Sequence, residues 1–90
     1  MPQAIVNPEE LERFATNLKQ FSNNFKELIT QMNGQFSQLG GSWRDQEHRK
    51  FAGEYQQTMK VLQRFIEITD KHIPFLFRKA QKVREYLQQK

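Results

Sequence analysis

The residues with most chemistry to offer are two histidines and the carboxylates around them. Asp45, Glu47 and His48 fall in the stretch LGGSWRDQEHRKF, residues 39–51. Asp45 and His48 lie one helical turn apart, as two metal ligands on a helix would. A metal centre in a helical bundle also needs inward carboxylates from a facing helix, and the apolar series on the preceding helix supplies none. His48 is therefore read as a structural residue. His72 has only Asp70 as an acid–base partner and is read the same way. The chain has no cysteine, which removes thiolate nucleophiles and thiolate metal sites. It also lacks a Ser–His–Asp arrangement and a phosphate-cradling glycine loop. The expectation is a protein that is not an enzyme and holds no metal or cofactor.

Size and charge narrow the remaining classes. Ninety residues make one domain at most, too small to wrap a large core around a substrate. Without disulfides or a thiolate site, association with another chain is the common route to stability. The N-terminal MPQAIVNPEE has an apolar run of only Ala4 to Val6, too short for a signal-peptide core, and no run approaches the roughly 18 residues of a membrane span. Export, if it occurs, is expected without a cleaved signal peptide. The net charge of +4 arises in the last twenty residues, where Lys71, Arg78, Lys79, Lys82, Arg84 and Lys90 face Glu85 alone. Such a tail permits binding to nucleic acid or an acidic membrane, although a solvated helix face is the plainer reading.

These residues must be carried by two helices. Asn7 reads as an N-cap, with Pro8 at the first helical position and Glu10 placed to complete a capping box. Leu11, Phe14, Leu18, Phe21, Phe25, Leu28 and Met32 then alternate spacings of three and four, one apolar helical face; Phe14, Phe21 and Phe25 are assigned to the core. Gly34 weakens this helix locally. Gly40 and Gly41 are expected to end it through the left-handed conformation. Ser42 reads as the next N-cap with Asp45 as its first-turn acid, so a second helix is predicted from Trp43. In it Ala52, Tyr55, Met59, Leu62, Ile66, Thr69, Ile73, Leu76, Ala80, Val83 and Leu87 repeat the spacing. Pro74 is expected to kink this helix without ending it.

The spacing predicts an all-α, antiparallel two-helix hairpin in a single domain over residues 1–90, with helices over about 8–39 and 43–88 and a turn at 40–42. Helix lengths match over 8–39 and 43–74, which leaves the segment from Phe75 onward with no cover in cis. Its Phe75, Phe77, Arg78, Lys79, Lys82 and Tyr86 are the candidate recognition tail. Ile29, Phe36, Phe65 and Ile68 flank the stripes and are the candidate partner interface. Covering them by dimerisation into a four-helix bundle is the economical solution.

The turn set Gly40, Gly41, Ser42, Trp43, Asp45 and Phe51 carries a resemblance. A chain of this length, with two amphipathic helices, a Trp in the turn and an aromatic residue eight positions later, resembles the WXG family of early secreted antigenic target-like proteins of type VII (ESX-like) secretion. Trp43 and Phe51 hold the Trp and aromatic positions, and Asp45 stands where the family usually has Gly. A Tyr-x-x-x-Asp/Glu export signal, which the resemblance leads one to look for, is not matched: YLQQK, Tyr86 to Lys90, ends in a cation. The resemblance implies a non-enzymatic interaction protein, either a substrate or a partner and adaptor of a larger substrate. Its partner would be a second copy or a paralogous hairpin, with a secretion ATPase or toxin cargo as further candidates. It would be secreted without a cleaved signal peptide, or cytoplasmic if an adaptor. The alternatives are a generic helical dimerisation module and a basic-tailed binder of nucleic acid or acidic membrane, nucleic acid being disfavoured because Phe75, Leu76 and Phe77 suit a buried contact better than a wet stacking platform. Trp43 is out of register with the second stripe. It either packs over the turn or is presented to a partner.

Overall fold

The computed structural model describes residues 6–88; Ala4, Ile5 and Lys90 lie outside them. Two helices, α1 (Pro8–Leu39) and α2 (Gln46–Gln88), fold back on each other as an antiparallel hairpin. The result is a rod of 70 × 17 × 14 Å. Asn7 caps α1, its Oδ1 accepting from the amides of Glu9 (2.9 Å) and Glu10 (3.2 Å). Both acids also suit the positive end of the helix dipole. α2 is one helix of 43 residues that runs through Pro74.

The connection differs from expectation in two respects. Gly40 closes α1 at φ −62°, ψ −17°, and no described glycine has positive φ. Close approach bears on Gly41 instead: a Cβ there would lie a tight 3.2 Å from the Gln38 carbonyl oxygen, whereas one on Gly40 would make an ordinary contact with that of Ser37 at 3.4 Å. The second helix starts at Gln46, not Trp43. The amides of Ser42 and Trp43 still donate to the Leu39 carbonyl (3.1 and 2.9 Å), so these residues finish α1. Ser42 therefore does not cap α2; its hydroxyl reaches back toward the Leu39 carbonyl at 3.4 Å. The cap is Asp45, whose Oδ1 accepts from the His48 amide at 3.0 Å.

The seam is built from smaller residues than the apolar spacing implies. Pro8, Ala15 and Ser22 are buried on α1, and Ile29 and Phe36 continue the same seven-residue series half-buried. α2 answers with Ile66, Thr69, Ile73 and Ala80. Ala15 and Ala80 are wholly buried, as expected where small side chains let two helices approach closely. Ile29 and Phe36 thus lie in the seam instead of beside it. Phe14 and Phe21, assigned to the core, are 57% and 45% exposed. Leu87 falls outside the seam at 52% exposure.

The register also corrects the tail. Ser22 pairs with Asp70 and Glu12 with Arg84, whereas matched lengths from a turn at 40–42 would set Ser22 opposite residue 60. Because the connection occupies residues 40–45 and keeps rising from α1, the part of α2 beyond Pro74 lies alongside the first turns of α1. Ala80 is buried there, and Leu76, Phe77, Val83 and Arg84 are half-buried. The segment after Pro74 is therefore covered in cis on its seam side.

Candidate interaction surfaces

At the turn, five rings gather into one cluster. The Phe36 ring stacks on Tyr55 (4.3 Å between centroids) and on the His48 imidazole (5.7 Å). Trp43 meets His48 edge-on at 5.1 Å and Phe51 at 5.9 Å. The turn holds these rings in place: Asp45 caps the helix that carries His48, Phe51 and Tyr55, and the Tyr55 hydroxyl donates to Asn33 Oδ1 across the hairpin at 2.8 Å. Of the two roles open to Trp43, packing over the turn is what the structure shows, with the indole half-buried. Its outer side borders an open groove shared with Glu47, Lys50, Phe51 and Glu54. His48 Nε2 is buried with no hydrogen-bond partner, and among the described residues no three His, Asp, Glu or Cys side chains converge as metal ligands would.

Along one side of the rod runs an apolar face. Phe14, Phe21, Leu28 and Met32 on α1 and Val61, Phe65, Ile68 and Phe75 on α2 are all 42–67% exposed. The two rows meet: Phe65 lies 6.3 Å from Phe21 and 6.1 Å from Phe25, the first pair edge-on. Large side chains that pack only half their surface on each other leave a hydrophobic strip in water, larger than the scattered apolar residues a monomer's surface ordinarily shows. Of the residues expected as partner interface, Phe65 and Ile68 are on this strip. Of the tail set, Phe75, Arg78, Lys79, Lys82 and Tyr86 are exposed and Phe77 is half-buried.

Polar contacts cross the seam as well, which the apolar spacing does not announce. Asp70 accepts from Ser22 Oγ (2.6 Å) on one oxygen and pairs with Lys26 Nζ (2.8 Å) through the other. Arg84 holds Glu12 with both guanidinium ends. The Lys26 hydrogen bond, then that of Ser22, lowers the Asp70 pKa from its ordinary value. The Arg84 hydrogen bond does the same for Glu12, and Glu12 in turn raises Arg84. The signal available in the sequence is the series Pro8, Ala15, Ser22, Ile29, Phe36 at strict sevens, which marks a seam only if small residues are counted as seam formers.

Solved structures share this arrangement. A proline-to-alanine variant of the secreted protein EsxB from Bacillus anthracis str. Sterne is 32% identical, with a TM-score of 0.84 over 94% of this chain and 99% of that one. Wild-type EsxB is 34% identical with a TM-score of 0.77, over 89% of this chain and 86% of that one. No curated protein sequence matches significantly. The model of the WXG100 family, proteins of 100 residues with WXG, matches residues 3–86. With Trp43 over the turn and Asp45 capping α2 in place of the motif glycine, the chain belongs to the WXG100 family of small helical proteins associated with type VII secretion.

Proposed function

We propose that the chain is a non-enzymatic interaction protein of type VII secretion that docks a second copy of itself through the apolar face to complete a four-helix bundle. The observation that carries this reading is the strip of half-exposed Phe14, Phe21, Leu28, Met32, Phe65 and Ile68 on one side of the rod. Burial of such surface is worth about 25 cal/mol per Å², and a second hairpin presents a matching strip. A paralogous hairpin would use the same face. Trp43 and Phe51, with Gly40, Gly41, Ser42 and Asp45 shaping the turn, supply a rigid end to the bundle. The exposed Phe75, Arg78, Lys79, Lys82 and Tyr86, beside half-buried Phe77, form the surface for a secretion ATPase or larger cargo. The protein acts as substrate or as adaptor, secreted without a cleaved signal peptide in the first case and cytoplasmic in the second. Light scattering at micromolar concentration tests the assembly: twice the 10.8 kDa chain mass is expected, and a helical monomer refutes self-association. Culture supernatants from cells with and without the secretion ATPase test the role, ATPase-dependent appearance being expected of a substrate.

A further inference from the structure

The outer side of α2 carries a row of cations that takes in Arg78 and Lys82 of the tail surface and continues from them toward the turn. Lys60, Arg64, Lys71, Arg78 and Lys82 are all exposed. At 3.6 residues per turn they fall within about 40° of one another and extend over roughly 33 Å. The row lies about 170° round the helix from the buried Ile66, Thr69, Ile73 and Ala80, so it points away from α1. Among the described residues the ion pairs are Lys26 with Asp70 and Arg84 with Glu12; none of the five cations is in an ion pair, and the acids on that side of the helix are the exposed Glu67 and Glu85. Val61 and Phe75 border the row and are 67% and 55% exposed.

We propose that this row is a docking strip for an anionic phospholipid surface, with the α2 axis lying parallel to the membrane plane. A straight line of unpaired cations edged by exposed apolar side chains is the pattern of a helix that lies in the interface, its charges on lipid phosphates and its apolar edge at the acyl boundary. No described helix is long and apolar enough to cross a membrane, so binding is peripheral. The apolar edge favours lipid over nucleic acid, whose recognition without base stacking needs charge alone. The cation row points away from α1 whether or not the bundle forms, whereas Val61 and Phe75 belong to the apolar face, so docking through both row and edge is open to the hairpin whose apolar face is not covered by a second copy.

The test is co-sedimentation of the full chain with vesicles of phosphatidylcholine alone and with phosphatidylglycerol added, at low and physiological salt. Binding to the anionic vesicles only, weakened by salt, is expected. Each Lys or Arg near such a surface contributes about fivefold, so Lys71→Gln with Arg78→Gln lowers partitioning at least about tenfold. These exposed positions leave the seam untouched, and unchanged helicity and mass establish that the variant is folded. Equal binding to neutral vesicles, no binding to anionic ones, or full binding by the variant overturns the proposal. So does tighter salt-sensitive binding to duplex DNA than to the vesicles.

Discussion

At the residue scale, the departure from the family motif becomes a capping event. Asp45 accepts the His48 amide, and a first-turn carboxylate suits the helix dipole. Asp45→Ala should cost about 0.5–2 kcal/mol in urea unfolding. Ser42→Ala should change stability little, because that hydroxyl has only a 3.4 Å contact with the Leu39 carbonyl. Equal losses for the two would return the cap to Ser42. The seam carboxylates give a pH dependence. Asp70 and Glu12 have lowered pKa values in the fold, so their contribution is present above the unfolded pKa and is lost as pH falls through the folded one. Thermal stability should be flat near neutrality and decline below about pH 5, and Asp70→Asn with Glu12→Gln should flatten that decline. Both groups are solvent-accessible, which keeps the effect small.

At the element scale, the hairpin was legible because Asn7-Pro8-Glu9-Glu10 marks a helix start and the apolar spacing persists for about six turns on α1 and about ten on α2 at 3.6 residues per turn. Which face of α1 meets α2 was not legible. Periodicity reports that a face is apolar, and here two apolar rows lie side by side; Ala15 and Ser22 mark the tight seam, while Phe14 and Phe21 mark the other row. The register was hidden for a related reason: the glycine pair and Ser42 suggest a short tip, whereas Ser42 and Trp43 still bond to α1. Two predictions belong here. Gly34 sits inside α1 with nothing within 4 Å of the place a Cβ would occupy, so Gly34→Ala should stabilise by about 1 kcal/mol in denaturant unfolding. A chain ending at Ile73 should lose much of its helicity, because it removes Ala80 and the Arg84–Glu12 pair from the seam. Full retention of structure would show the end of α2 to be dispensable for the hairpin.

At the scale of the whole molecule, a rod 17 × 14 Å in section cannot bury large side chains on all sides of two helices. The seam takes Ala15, Ser22, Thr69 and Ala80 beside Ile66 and Ile73 and leaves Phe14, Phe21 and Phe65 about half exposed, the side chains that the proposed second hairpin would cover. This division separates folding from assembly. Phe14 and Leu28 are 57% and 58% exposed, so Phe14→Glu with Leu28→Glu should spare the hairpin. Each such side chain has roughly 1 kcal/mol of burial still to gain on docking. Four positions across two copies then weaken association by about 4 kcal/mol, near a thousandfold in Kd. Sedimentation should return a helical monomer at concentrations where the parent chain is a dimer. Ala15→Leu makes the converse change, forcing a large side chain into a site with no exposed surface. It should lower the unfolding midpoint of the hairpin itself, overpacking of this kind costing about 1–3 kcal/mol. If the two variants behaved alike, folding and assembly would be one event and the seam could not stand without its partner.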